Sequence, residues 1–328
     1  MTDALAAGLV DVLAEVWRTE VEVTQLVRLS GGASRETWAF VAATADTNHD
    51  LVVQRERPGG LQTGGGMAAD ATLLDLARAH GVPTPEVVAS GDESAGLGAA
   101  FVITRRLPGE ALPRKLLRDP VFDAVRSGLT RQAGQALGRV HSMDVAAVGD
   151  LLEDLDQMGR FAELLDEIGE PHPAFELGLR WLAQRPVERT RTTIVHGDFR
   201  TGNLLVDPQL GLVAVLDWEL AHLGDPVEDL GWFCCRAWRF GSPHRAGGLG
   251  SLGELLAGYA EVTGIDVDPD AVRWWEAMGT LKWGVMCVIQ AMTHWSGVSR
   301  SVELAAIGRR VAETEWDLLE LIAPREVA

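Results

Sequence analysis

The stretch "IVHGDFRTGNLLVD", residues 194–207, decides how this chain is read. Two short apolar runs, Ile194-Val195 and Leu204-Leu205-Val206, enclose a loop with a histidine, an aspartate, an arginine and an asparagine. Apolar runs of this length predict strands, and strand pairing would set where the chain enters and leaves the loop. The spacing is H-x-D-x-x-x-x-N, with Asp198 and Asn203 on one loop; the next apolar run, "LVAVLDW" (212–218), predicts a strand that ends at Asp217. Phosphoryl transfer needs a carboxylate to orient an attacking hydroxyl and accept its proton. It also needs an amide oxygen and a second carboxylate to hold Mg²⁺ on nucleotide phosphates. Asp198, Asn203 and Asp217 supply those groups in that chain order. A plainer reading stays open, in which Asp198 caps backbone N–H groups of a turn and Asp217 caps the next helix.

Composition limits the alternatives. The chain has 328 residues, 47% of them hydrophobic, enough for a large core and two lobes. A formal net charge of -18 argues against a duplex-binding surface or a polybasic membrane patch. The three cysteines, Cys234, Cys235 and Cys287, include an adjacent pair and no CxxC, which points to a reducing cytoplasm and no structural zinc. The opening "MTDALAAGLVDVLAEVW" lacks a basic start and reads as an amphipathic helix, not a signal peptide. The charge-free run 283–299 contains Gln290 and His294, and predicts a buried helix, not a membrane span.

Along the chain, "VTQLVRLSGGASRETWAFVAAT" reads as strand, glycine turn, strand, and "LVVQRE" as a third strand. Residues 57–66 read as a flexible loop, 67–80 as a helix stopped by Gly81, and "TPEVVAS" and "AAFVITRRL" as two more strands. After "LPGEALP" (107–113) the character turns helical, over 129–142, 151–169 and 173–184, then from Val227 to the end of a last helix at 301–322. The expected fold class is α+β: residues 1–107 a small sheet-rich lobe with one helix, residues 108–328 a larger helical lobe.

"HGDFRTGN" followed by "LDWE" resembles the aminoglycoside phosphotransferase-like kinases, relatives of the protein kinases. "SGGASRETW", "FVITRRLPGE", "VLDWELAHLGDPVEDLGWF" and "IGRRVAETEWDLLELI" extend the resemblance over nearly the whole chain. They are most similar to the branch that includes kinase domains fused to acyl-CoA dehydrogenases. The resemblance implies a protein-kinase-like two-lobe fold, an ATP- or GTP-dependent small-molecule kinase, Mg²⁺, Asp198 as base, and Asn203 and Asp217 as metal ligands. It also implies that His196 supports the loop, and that Asp225 or Asp229 ties the loop backbone to the following helix. Arg200, two residues after Asp198, is positioned to neutralise the transferred phosphoryl group, or else is a surface arginine. Glu219, where protein kinases carry glycine, reads as a neighbour of metal-bound water or as a solvated carboxylate.

For the nucleotide, Ser30, Gly31, Gly32, Ala33 and Ser34 form a turn between strands that could cradle phosphates or be a plain hairpin. No GxxxxGK[ST] occurs, which disfavours a Walker-type NTPase. Protein kinases hold phosphates with a lysine on the third strand, paired to a helix glutamate. This chain has none there, and Arg55 with Asp70 as its partner is the expected replacement, Gln54 the alternative one residue away. Alternation places Val53 on the face of Arg55, against adenine. By resemblance to the family's hinge, Thr104 backs the adenine pocket, and the Arg105 C=O and Leu107 N–H pair with the base.

For the acceptor, Arg236, Arg239, His244 and Arg245 interleave with Trp232, Phe233, Trp238 and Phe240, and Trp274, Trp275, Lys282, Trp283 and Trp295 follow. The aromatics also fit a plain helix core. The arginines suggest an anionic or amphipathic hydroxyl compound, for instance a hydroxy-acyl one. The alternatives are an antibiotic kinase, with an aminoglycoside as acceptor, and a nucleotide-binding pseudokinase, for which the missing lysine argues. No nucleic-acid or membrane partner is expected.

Overall fold

The computed structural model describes residues 2–29, 35–57 and 65–323; the expected phosphate turn, Ser30, Gly31, Gly32, Ala33 and Ser34, and most of the 57–66 loop lie outside them. Helix α1 (Thr2–Trp17) leads into strands β1 (Glu22–Arg28), β2 (Arg35–Ala43) and β3 (Asn48–Glu56), then helix α2 (Gly66–Ala79), then β4 (Val87–Gly91) and β5 (Phe101–Arg105). The strands form one antiparallel sheet in the order β1-β2-β3-β5-β4.

Two helices give the sheet its two faces. Leu5, Leu9 and Leu13, one stripe of α1 at four-residue spacing, bury themselves against Trp38, Phe40, Leu51, Val53, Phe101 and Ile103. Val102 points the other way and packs with Met67, Leu74 and Ala77 of α2. Because side chains alternate, Val53 and Arg55 belong to the α1 side, while Val52 and Gln54 face α2. The expectation that Val53 and Arg55 line a nucleotide cleft is therefore corrected: α1 covers that face, and one residue of register separates it from the face opposite α2.

The rest of the chain is mainly helical. It runs through α3 (Pro113–Arg118), α4 (Asp123–Val140), α5 (Gln157–Ile168), α6 (Pro173–Ala183), β6 (Thr193–Val195), β7 (Leu204–Asp207), β8 (Gly211–Val215) and β9 (His222–Gly224). Helices α7 (Val227–Cys234), α8 (Leu252–Thr263), α9 (Pro269–Trp295), α10 (Val302–Gly308) and α11 (Val311–Ile322) complete it. Phe161, Phe175, Leu182, Met278, Leu281, Val285 and Leu318 knit α5, α6, α9 and α11 into one core.

Some boundaries differ from the sequence reading for local reasons. The helix expected over 151–169 begins at Gln157, because the Asp156 side chain caps it by accepting from the Gly159 N–H. The helix expected over 301–322 is two helices. Gly308 ends the first where it packs so closely on Ala291 of α9 that a Cβ would meet the alanine methyl. The run 283–299 is buried only in part: Val285 and Cys287 are inaccessible, whereas Trp295 is 70% exposed and Val298 77%. Among the described residues no helix is long and apolar enough to cross a membrane.

Candidate active site

The loop between β6 and β7 is held from both ends. β6 pairs with β9 and β7 with β8, in two separate two-stranded sheets. Where the β7–β8 ladder ends, the Leu216 N–H donates to the Asn203 C=O at 2.9 Å, which brings the segment carrying Asp217 beside the loop. Strand β8 stops at Val215, and two residues on Asp217 adopts φ 65°, a left-handed conformation outside the extended region of a regular strand. Such strain in a non-glycine residue persists where the surroundings over-determine it.

Beneath the loop sits Asp229 of α7, with no exposed side-chain surface. Its two oxygens accept the His196 N–H at 2.7 Å and the Gly197 N–H at 3.0 Å, and His141 Nε2 lies 3.1 Å away. Burial alone would raise the Asp229 pKa, but the His141 hydrogen bond and charge and the His196 contacts hold it below the ordinary carboxylate value. This is the backbone tie expected of Asp225 or Asp229; Asp225 instead caps α7 through the Val227 N–H at 2.8 Å. His196 is buried and points to the Leu216 C=O at 3.1 Å, a supporting position. Gly197, at φ 79°, lies against the Leu220 carbonyl, which a Cβ would strike. Its own C=O accepts from Lys282 Nζ at 3.2 Å.

Asp198 emerges from this platform with its carboxylate immobilised. Trp232 Nε1 donates to Oδ1 at 3.0 Å, Asn203 Nδ2 to Oδ2 at 2.8 Å, and Arg200 Nε to Oδ1 at 3.1 Å and Oδ2 at 3.0 Å. Asn203 Nδ2 also reaches the Asp198 C=O at 2.9 Å, which leaves the amide oxygen as the side chain's acceptor. Arg200 is thus no loose surface group: it bridges to Asp198 and lies 5.1 Å over the Trp238 ring. The bond from Trp232 was not foreseen. The aromatic was legible in the sequence, but nothing there signals which way an indole N–H points.

Asp217 is the electrostatically stressed member. Burial pushes its carboxyl up to about 7, the charges of Glu219 and Asp198 add to this, and Arg35 and Arg200 oppose it. A divalent cation would relieve that crowding. Among the described residues no cluster of three His, Cys, Asp or Glu suits a metal. Asp217 and Asn203 offer one carboxylate and one amide oxygen, a pair that could hold Mg²⁺, an ion that usually takes few protein ligands and fills its shell with phosphate and water.

On the nucleotide side the expected Arg55–Asp70 pair does not form. Arg55 bonds Glu36 through Nε at 2.9 Å and Nη2 at 2.7 Å, and the Leu97 C=O through Nη1 at 3.0 Å, all on the α1 side of the sheet. Asp70 is paired with Arg35 of β2, and Arg35 Nε also lies 3.4 Å from Glu219. Glu219 is accordingly not a solvated carboxylate. Arg35 went unremarked in the sequence, although it is the first charge after the glycine turn. At the expected hinge, Arg105 ends β5 with its side chain on His49, and the Arg106 N–H donates to the Asp50 C=O at 2.9 Å. Leu107 follows as the chain leaves the sheet, and Thr104 is buried within β5.

The arginines after α7 are placed differently from the expectation as well. Arg239 and Arg245 both close on the buried Glu276, at 2.6 and 2.7 Å, and Arg236 lies 3.4 Å from Asp317. They are not a free cationic cluster. Cys234, Cys235 and Cys287 are free and buried, and burial pushes Cys234 and Cys287 up to about 12.

The model of the phosphotransferase enzyme family matches residues 25–275. Acyl-CoA dehydrogenase family member 10 of Mus musculus is 28% identical over 229 residues, covering 64% of this chain; the chain spans only 20% of that protein. A candidate aminoglycoside phosphotransferase from Ralstonia eutropha superimposes with a TM-score of 0.72 at 22% identity, over 91% of this chain and 92% of the other. APH(2")-IIIa, solved with GDP and kanamycin, gives a TM-score of 0.64 at 15% identity over 96% and 98%. At these identities the two structures establish the fold, the protein-kinase-like α+β arrangement of the aminoglycoside phosphotransferases. With the family model spanning the sheet, the loop of Asp198 and the segment of Asp217, the chain belongs to the phosphotransferase enzyme family.

Proposed function

We propose that this enzyme moves the γ-phosphoryl group of ATP or GTP to a hydroxyl of a small molecule, with residues 1–107 holding the nucleotide and residues from 108 onward the catalytic loop and acceptor. The observation that carries the reading is the Asp198 carboxylate, fixed by Trp232, Asn203 and Arg200 beside the crowded Asp217. Asp198 orients the acceptor hydroxyl and takes its proton; preorganisation by three side-chain donors spares that reorganisation during reaction. Asn203 and Asp217 hold Mg²⁺, which bridges the phosphate oxygens and offsets their charge. Arg200 keeps its Nε on Asp198 and offers its remaining guanidinium N–H donors to the transferred group. The coexistence of Asp198, Asn203 and Asp217 in one site argues for catalysis over a pseudokinase. Free, buried cysteines fit a reducing cytoplasm.

The acceptor is proposed to enter a cleft of about 750 Å³ whose walls include Arg236, Arg239, Phe240, Arg310, Trp316 and Asp317. Trp238, beneath Arg200, lies in the same turn as two of those arginines. Arg236 and Arg310 of this wall are offset by Asp317 and Glu313, and Arg239 shares the single Glu276 with Arg245, so the wall keeps at most one surplus positive charge and lacks the excess of carboxylate that a polycationic aminoglycoside requires. An amphipathic, anionic hydroxy-acyl compound fits this wall better than an antibiotic amine, and the likeness to an acyl-CoA dehydrogenase family member supports it. The test is Mg·ATP and Mg·GTP turnover against hydroxy acids, their thioesters and kanamycin, with Asp198→Asn alongside. Asp198→Asn should retain nucleotide binding and lose about 10²–10⁴-fold in kcat. Near wild-type turnover by that variant rejects the role of Asp198, and efficient kanamycin turnover alone rejects the acceptor class.

A further inference from the structure

We propose that Arg35 of β2 holds the nucleotide phosphates in this protein, oriented by Asp70 of α2 and Glu219 beyond the metal strand. The proposal rests on the phosphotransferase reading above and deepens it. Strand β3 has no lysine, and its α2-facing position near the site is the neutral Gln54. Register then does the rest. Gln54 pairs with Thr37 and Glu56 with Arg35, and paired residues of antiparallel strands share a face. Arg35 therefore projects toward α2, two residues along the neighbouring strand from where a β3 cation would start.

Its surroundings are those of a positioned ligand-binding cation. The side chain is 8% exposed and meets Asp70, itself 9% exposed, while Glu219 approaches from the segment of Asp217. Burial would lower the Arg35 pKa, but Asp70, Glu219 and Asp217 together raise it, so the guanidinium stays charged. A guanidinium carries five N–H donors in a planar fork, more than two carboxylate contacts consume, and a fork suits phosphate oxygens. In the sequence Arg35 follows directly on Gly31, Gly32, Ala33 and Ser34. One cation thus touches the sheet, α2 and the metal segment at once, the three parts that a nucleotide's phosphates must meet.

The experiment is calorimetric binding of Mg·ADP, or of Mg·GDP if that is what the wild type takes, and of the bare nucleoside, to the full chain. Arg35→Met should weaken the diphosphate roughly 10- to 100-fold, the range of a charge-assisted contact, and leave the nucleoside unchanged. Adding Gln54→Lys should restore most of the loss, since it puts a cation on the same face with Asp70 still in reach. If Arg35→Met does not fold, Arg35→Met with Asp70→Leu removes the stranded carboxylate and allows the same comparison. Undiminished diphosphate binding, equal losses for diphosphate and nucleoside, or no restoration by Gln54→Lys would each overturn the proposal and leave Arg35 a sheet-to-helix fastener. Failure of the wild type to bind either diphosphate would instead undo the phosphotransferase reading.

Discussion

Trp232, on α7, donates its indole N–H to Asp198 Oδ1 at 3.0 Å, joining the helix that supports the β6–β7 loop to the group proposed as the base. The indole is 2% exposed and also lies 4.9 Å beneath the Lys282 ammonium. Trp232→Phe keeps an aromatic packer and removes one hydrogen bond to a carboxylate, a loss of about 1.5–3 kcal/mol. Because that bond steers Asp198, the loss should appear in kcat, as a fall of about 10- to 100-fold with KM little changed. Steady-state kinetics on the true acceptor check it; a rise in KM alone would move Trp232 into the acceptor-binding wall.

The metal assignment predicts an ordered response. Asp217→Ala should weaken Mg²⁺-dependent nucleotide binding more than Asn203→Ala, because a carboxylate is the stronger ligand for a hard cation. Titrations of ADP at a series of Mg²⁺ concentrations distinguish them. If Asp217→Ala leaves the Mg²⁺ dependence intact, Asp217 is not the ligand. Removing its charge also relieves the folded state of a carboxyl pushed up to about 7, so Asp217→Asn should melt at or above the wild-type temperature at pH 8 without metal.

Glu276, 1% exposed in its side chain, receives both Arg239 and Arg245. Burial raises its pKa although both arginines oppose the shift. Glu276→Ala leaves two guanidinium groups without their partner and should cost about 2–4 kcal/mol, below the range for fully buried pairs because the arginines reach solvent. Denaturant unfolding measures the loss. A variant as stable as the wild type would mean that the arginines find new partners, the acceptor cleft included, and its preference for anionic acceptors should then sharpen.

The His222–Glu228 pair predicts a two-sided pH profile. Burial would lower the His222 pKa, but Glu228, 3.1 Å away, raises it above the ordinary 6.5. Its stabilisation is fully present below pH 6.5 and is lost as pH rises through the raised folded value. Burial would raise Glu228, but His222 and then Lys282 hold it below the ordinary 4.5, so its contribution is present above 4.5 and lost as pH falls through the lowered value. The melting-temperature gap between the wild type and His222→Gln should therefore narrow as the buffer goes from pH 6 to pH 9. A gap that widens over that range contradicts the charged histidine.

What this sequence by itself determined is the local chemistry whose spacing is short. Asp198 and Asn203 share one loop and Asp217 ends the next apolar run, so strand pairing brings all three together whatever surrounds them. The sheet-first, helix-later order was equally legible from period and turn residues. Tertiary structure decided the groups whose partners are distant along the chain. Asp70 meets Arg35 and not Arg55, because the face of Val53 and Arg55 is claimed by Leu5, Leu9 and Leu13 of α1, and a pleated strand cannot present one side chain to both faces. Arg239 and Arg245 are both paired with Glu276, more than thirty residues on in the chain, because α9 runs alongside α7 and carries a buried carboxylate to them. Local spacing names the groups a site can use; only packing decides which of their charges remain available to a ligand.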